Sequence, residues 1–345
     1  MEGTSSSPAV PVVIVAGFLG SGKTTLLNHL LRNDDGIRIG VIVNDFGSVN
    51  IDAMAVAGQV DAMVSLDNGC LCCAVDTAGM DRLLDRLTQP GTSIDVIVIE
   101  ASGIAEPRDL LRLILASENP NITPGGLIEV IDAAEFEASR ARHPELEQHV
   151  KAADLIVLNK IDRVDDATRA RMLDELARLG GAPVLPSSHG RIDPRLLFDR
   201  PERREPEGPQ QLSLADLLHD DHEHCDDHMH AEYQSVEFST ERPLHPRQFM
   251  AFLHDRPAGV YRMKGFTYFG VAGHTQKFSL QIVGGFVEVR RSQWSRGEPR
   301  RTQLVLIGVG IDADELHRRL DDCIADDVEQ LDEQSMLPVL RYVDP

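Results

Sequence analysis

No uninterrupted apolar run in this chain comes near the ~18 residues that a membrane span requires, and the opening stretch, Met1 to Pro8, holds no lysine or arginine. Those two absences exclude a spanning helix and a basic leader, so the expectation is a soluble, cytoplasmic protein without a signal peptide. Basic charge is short as well: 34 Lys and Arg stand against 55 Asp and Glu, a net charge of −21. Nucleic acid is therefore excluded as a partner, because its phosphates need a basic surface. Cysteine is scarce and odd in number, five in all, with three crowded at Cys70, Cys72 and Cys73. Such a set does not make a disulfide framework; it points to metal binding or reactive thiols. No internal repeat is visible.

What is present suits two domains. The chain has 345 residues, 42% of them hydrophobic, which is long for one domain. Val-rich and Ile-rich runs at Val10 to Ala16, Ile37 to Val43, Asp61 to Leu66, Asp95 to Glu100, Gly126 to Ile131, Asp154 to Leu158 and Pro183 to Pro186 read as strands buried on both faces. Helical patterns fall between them, at Thr77 to Leu87, Pro107 to Leu115 and Asp166 to Leu179. The alternation predicts an α/β domain, a mostly parallel sheet flanked by helices, over residues 9–200. Residues 201–231 read as an acidic, His-rich linker. Residues 232–342 read as a smaller α+β domain, with strands at Tyr233 to Ser239, Gly259 to Phe269, Gln276 to Val289 and Thr302 to Val309. Helices are expected at Pro246 to His254 and Ala313 to Cys323, the second capped by Asp312.

The first strand runs into Gly17-Phe18-Leu19-Gly20-Ser21-Gly22-Lys23-Thr24, and a helical pattern follows. This is G-x-x-x-x-G-K-[ST] in the strand–loop–helix setting of a P-loop. Glycines let backbone N–H groups surround phosphate oxygens, and the helix dipole adds attraction. Gly17, Gly20, Ser21, Gly22, Lys23, Thr24 and Thr25 form the phosphate-side set. Lys23 is expected to reach the β- and γ-phosphates, and the Thr24 hydroxyl to hold magnesium. Asn159-Lys160-Ile161-Asp162 follows a later strand. The Asp162 carboxylate can accept from the N1 and N2 edge of guanine, whereas adenine would leave it unpaired. The Lys160 stem can cover the base, Asn159 can tie down the loop, and Ser187-Ser188-His189 can add backbone contacts. The nucleotide is therefore GTP. A further carboxylate is needed for magnesium or for the attacking water; Glu100 ends a buried strand and Asp45 sits in the loop after the second strand, and either could act.

Cys70-Leu71-Cys72-Cys73 is a soft-metal donor set. No second pair at zinc-site spacing accompanies it, so the site is open, and Asp45, a histidine or water can complete it. Between His219 and His230 lie five histidines and one cysteine among acidic residues, a tract suited to loose capture of cations.

Together, GFLGSGKTTLLN (Gly17 to Asn28), VNDFG (Val43 to Gly47), CLCC (Cys70 to Cys73), EASGIAEP (Glu100 to Pro107) and NKID (Asn159 to Asp162) resemble the CobW-like P-loop GTPases, relatives of the nickel-insertion GTPases of urease and hydrogenase. RMKGF (Arg262 to Phe266) and LVLIG (Leu304 to Gly308) look like that family's C-terminal domain. The resemblance implies GTP hydrolysis coupled to delivery of a metal, zinc before cobalt, to a client metalloprotein. Hydrolysis is expected to be slow, since no arginine finger is evident in cis; the C-terminal domain is the natural candidate to dock the client, and an oligomer is a further option. Two positions depart from the family's pattern: Asp45 stands where it usually has Glu, and Ala101 where it usually has Ser or Thr. The expected switch is closure of the Asn44–Gly47 and Leu66–Cys73 loops around GTP, which assembles the three thiolates until hydrolysis releases them. Rival readings are a small-molecule P-loop kinase or synthetase, which needs neither the cysteine loop nor NKID, and a metal buffer or sensor built on the histidine tract. Within the favoured class, nickel or cobalt insertion is the alternative.

Overall fold

The structure is a computed structural model that describes residues 9–32, 37–43, 62–65, 77–89, 92, 94–103, 105–198, 233–257, 259–325, 331 and 333–343. Seven strands build the first sheet: β1 (Val10–Ala16), β2 (Ile39–Val43), β3 (Ala62–Ser65), β4 (Val96–Glu100), β5 (Ile122–Asp132), β6 (Leu155–Asn159) and β7 (Val184–Pro186). Their order is β3-β2-β4-β1-β5-β6-β7, and every neighbouring pair is parallel. Helices make the crossovers: α1 (Lys23–Leu31), α2 (Thr77–Leu87), α3 (Pro107–Leu115), α4 (Phe136–Arg142), α5 (Leu146–Ala152) and α6 (Asp166–Gly180).

The period-two alternation of the strands sorts side chains onto two faces. Val13, Val15, Val41, Val98 and Ile128 meet Leu26, Leu27 and Leu30 of α1. Val12, Ile14, Ile42, Ile97 and Leu127 meet Met80 and Leu84 of α2 and Leu110 and Ile114 of α3. Both faces are buried, which is why these strands read as continuous apolar runs. At β1 the order turns, with β4 on one side and β5 on the other. Sheets of this kind open a ligand crevice beyond the strand ends at such a point.

A second sheet is antiparallel throughout, in the order β11-β10-β9-β12-β8. Its strands are β8 (Tyr233–Thr240), β9 (Val260–Thr267), β10 (Lys277–Val283), β11 (Phe286–Ser292) and β12 (Thr302–Val309). Its core joins Met263, Leu280 and Leu306 to Phe249 and Leu253 of α7 (Pro246–His254) and Leu316 and Leu320 of α8 (Ala313–Asp321). The Asp312 side chain accepts from Glu315 N at 3.0 Å, as a cap should. One expectation is corrected. Gln276 to Val289 is not a single strand but the β10–β11 hairpin, turned by Gly284 and Gly285. Gly284 has φ +55, which glycine adopts without strain.

That hairpin turn also docks the two sheets. Gly285 N donates to the Asp154 carbonyl, and a Cβ on Gly284 would collide with the same carbonyl oxygen. Beside it the Tyr261 hydroxyl donates to Val184 O at 3.3 Å and Arg262 donates to Arg195 O at 2.8 Å. No helix among the described residues is long and apolar enough to cross a membrane.

Candidate nucleotide and metal site

The loop after β1 is built to stay close to the sheet. Gly17 has φ +146, and a Cβ there would strike the carbonyl oxygen of Val130 on β5. Gly22 has φ +107, and its Cβ would strike Asn159 Nδ2. No side chain caps α1, so the N–H groups of its first turn are left for a ligand. The Ser21 hydroxyl is buried and has no hydrogen-bond partner among the described residues. An orphaned donor inside a nest of glycine backbone fits a phosphate oxygen.

Lys23 is buried, and its Nζ donates to Gly17 O at 2.9 Å and to Phe18 O at 3.3 Å. Thr24 donates from Oγ1 to Glu100 Oε1 at 2.7 Å. Glu100 is 2% exposed, so this strand-end carboxylate is buried against the loop. A hydroxyl and a carboxylate joined at the C-terminal end of β4 are the oxygen donors that magnesium takes. Thr25 is exposed on the first turn of α1.

The second motif is bonded to the first. Asn159, 1% exposed, donates from Nδ2 to Ser21 O at 2.9 Å and accepts from Gly190 N at 2.9 Å. Lys160 donates to Gly20 O and to Asp132 Oδ2, both at 2.6 Å. These bonds hold Lys160 at φ +60, an uncommon conformation for a residue with a Cβ. The Asp162 carboxylate is 38% exposed and 4.0 Å from His189 Nε2, so it is open to a ligand. Ser187 O accepts from Ile161 N at 3.2 Å, which ties the loop after β7 to the same motif. Gly17, Gly20, Ser21, Gly22, Lys23, Thr24, Glu100, Asn159, Lys160 and Asp162 thus gather at one end of the sheet.

Asp45, Cys70, Cys72, Cys73, the 201–231 linker and the His219–His230 tract lie outside the described residues. Among those described, no group of three or more His, Cys, Asp or Glu is placed to hold a metal.

One cluster was not foreseen. Glu129 lies in β5 between Leu127 and Ile131, on the face toward α3 and α5, and is 3% exposed. His149 of α5 stands 4.0 Å from it through Nδ1, and 3.3 Å from Glu106 through Nε2. Burial pushes the Glu129 carboxyl up to about 8 despite the opposing charge of Lys23, and Glu106 adds to the rise. The signal available in the sequence was one carboxylate inside the apolar run Gly126 to Ile131.

Residues 11–185 match the family described as "CobW/HypB/UreG, nucleotide-binding domain", and residues 233–324 match "Cobalamin synthesis protein cobW C-terminal domain". A Sinorhizobium sp protein named zinc chaperone CobW is 30% identical over 341 residues, spanning 87% of this chain and 93% of its own. Its namesake from Pseudomonas aeruginosa is 31% identical over 352 residues, spanning 88% of each. Zinc chaperone YjiA of Escherichia coli is 34% identical over 197 residues, 55% of this chain and 61% of its own length.

Proposed function

Because this chain belongs to the CobW/HypB/UreG family of nucleotide-binding proteins, we propose that it is a GTPase that carries zinc to a client metalloprotein in the cytoplasm. The nucleotide unit is residues 9–200, the acidic His-rich linker 201–231, and the client-facing unit 232–342. Cobalt is the next candidate cargo.

Guanine is read by Asp162, with Lys160 along the base and Asn159 bracing the motif. Phosphates sit against Gly17, Gly20, Ser21, Gly22 and the start of α1. Lys23 exchanges its carbonyl partners, Gly17 O and Phe18 O, for the β- and γ-phosphates, a charge-assisted trade that favours the ligand. Thr24 and Glu100 would hold magnesium, which would supply electrostatic stabilisation of phosphate charge. Asp45 orients the attacking water or joins the metal shell. Cys70, Cys72 and Cys73 grip the zinc cargo.

The observation that carries this reading is a line of register partners. Ser65 pairs with Val43, Val43 with Glu100, and Glu100 with Val15. The strands that lead into the Asp45 and cysteine segments therefore end in step with the carboxylate that holds the P-loop hydroxyl. A change at the γ-phosphate has a short route to both segments. The coupling required is ordinary: about 100-fold in metal affinity corresponds to ~2.8 kcal/mol.

Competitive zinc titrations with GDP, and again with magnesium and a non-hydrolysable GTP analogue, test the reading. Zinc binds about 100-fold tighter in the triphosphate state, and Cys72→Ser with Cys73→Ser removes that difference. Equal affinity in both nucleotide states overturns the switch. Loss of all zinc binding on deleting 219–230 assigns the metal to the histidine tract instead.

A further inference from the structure

The groups around Glu129 form a path from solvent to the underside of the P-loop. Side-chain exposure falls along it, from 40% at Glu106 to 10% at His149 and 3% at Glu129. Glu106 is the N-cap of α3, yet its side chain makes no capping bond and turns to His149. Glu129 Oε2 and Glu106 Oε1 are buried without a hydrogen-bond partner among the described residues. Glu129 is in register with Ala16, the residue before the loop, and Gly17 lies against the carbonyl of Val130. A buried carboxylate with an open oxygen is thus placed directly beneath the phosphate cradle.

Among the described residues, the charges that face it are few. Lys23 attracts its ionised form and Glu106 repels it. Glu135 and Glu129 line one small cavity with Phe18 and Ser21. Asp132, further along β5, is already paired with Lys160 at 2.6 Å. Arg108, in the first turn of α3, turns to Gln148. Lys23 is therefore the cation through which Glu129 senses the loop. A triphosphate arriving at Lys23 brings several negative charges toward an acid that is poised to ionise. Like charges in a dry site disfavour each other, so the bound state favours the protonated acid.

We propose that Glu129 is a proton-carrying positioning residue of the nucleotide site, which couples nucleotide binding at Lys23 to the uptake of one proton relayed by Glu106 and His149. In the relay, Glu106 takes a proton from solvent and passes it to His149 Nε2. His149, now 4.0 Å away through Nδ1, moves into hydrogen-bond reach and gives its Nδ1 proton to Glu129 Oε1. The imidazole ends neutral, with its tautomer exchanged. Release of nucleotide returns the proton by the same route. The coupling is reciprocal, so protons tighten nucleotide and nucleotide tightens the proton. This inference rests on the reading that Lys23 binds phosphate.

The test is calorimetry on the full chain, titrating GDP and a non-hydrolysable GTP analogue in buffers of different ionisation enthalpy, with wild type and Glu129→Gln. At pH 8 the wild type takes up about half a proton more per nucleotide than the variant. Between pH 7 and pH 9 its Kd rises about 5- to 10-fold relative to the variant's. Equal uptake and parallel profiles overturn the proposal. Should Glu129→Gln not fold, the wild type alone decides: adding nucleotide at pH 8.5 raises the infrared band of a protonated carboxyl, and no band overturns it. His149→Leu slows the proton uptake followed with a pH dye by about 100-fold, and an unchanged rate removes the relay. Lys23→Ala separates this inference from its premise. If that variant still binds nucleotide, the premise fails; if it does not, while Glu129→Gln keeps the wild-type pH profile, only the coupling fails.

Discussion

Asn159 donates to the carbonyl of Ser21 across 2.9 Å, so the Asn159 to Asp162 motif and the loop after β1 are one bonded unit. The same side chain accepts from Gly190 N at 2.9 Å. Truncation by Asn159→Ala leaves a buried carbonyl and a buried N–H without this partner, at about 1–3 kcal/mol each. Urea unfolding of the nucleotide-free protein is expected to show a loss of about 2 kcal/mol or more. Gly22→Ala attacks the same contact from the other side, since its Cβ would strike Asn159 Nδ2 at φ +107. A fluorescent GDP analogue should bind both variants at least tenfold more weakly, about 1.4 kcal/mol. Wild-type stability in Asn159→Ala would show that the two motifs are not energetically joined.

Thr24 and Glu100 pose the question that the sequence leaves open, which carboxylate serves magnesium. The 2.7 Å bond from the Thr24 hydroxyl supports a proposal that it is Glu100. Glu100→Gln keeps the shape and one acceptor but removes the charge. The magnesium concentration for half-maximal nucleotide binding is expected to rise about tenfold, near 1.4 kcal/mol. Titrating magnesium against a bound fluorescent nucleotide measures this directly. No change in the variant, with a rise in Asp45→Asn, transfers the role to Asp45.

Most strands of the first sheet are legible because they are buried on both faces, and nothing but Val, Ile, Leu and Ala fills such positions for long. Val10 to Ala16 is read to the residue. The start of β5 is not, because Pro124 and Gly125 interrupt the apolar run that begins to be legible at Gly126. In the fold they are strand residues, and Gly125 is needed where a Cβ would press on Val13 at 2.8 Å. The hairpin at Gly284 and Gly285 is hidden for the opposite reason: the apolar alternation runs straight through it. At the site, the P-loop and Asn159 to Asp162 can be read because their chemistry is carried by consecutive residues. Glu106, Glu129 and His149 come from three separate elements, and only the packing of α3 and α5 on β5 makes them neighbours.

Asp162 is open to solvent, which leaves its carboxylate free to meet the proposed guanine. Asp162→Asn replaces two acceptor oxygens with one acceptor and one donor. Guanine then meets a donor where it offers its own amine. Xanthine, with a carbonyl at that position, pairs with the amide. GTP affinity should fall about 100-fold or more, while XTP affinity rises above that of the wild type. Competition of GTP, XTP and ATP against a labelled nucleotide gives the ranking. Unaltered preference for GTP removes Asp162 from the base site.

Asp154 joins β6 to the turn of the second sheet, and its titration is expected to show in the stability of the fold. Its Oδ2 accepts from Leu127 N at 2.8 Å, and its backbone carbonyl accepts from Gly285 N. Burial raises its pKa from 3.8 to about 6, against the pull of the Leu127 N–H. The folded state therefore holds this proton over a window where the unfolded chain has lost it. Stability then falls as pH rises from about 4 to 6, by a total of up to ~3 kcal/mol, and stays reduced above that window. An amide accepts from Leu127 N without ionising, so Asp154→Asn should be more stable than wild type at pH 7.5 by about 1–3 kcal/mol and equal to it at pH 4. Glu129 has a raised pKa of the same sign, so the comparison must be made between the two proteins at each pH. Chemical denaturation at the two pH values reads the difference, and an Asp154→Asn curve that tracks the wild type at both shows that the carboxyl is ionised without cost at this junction.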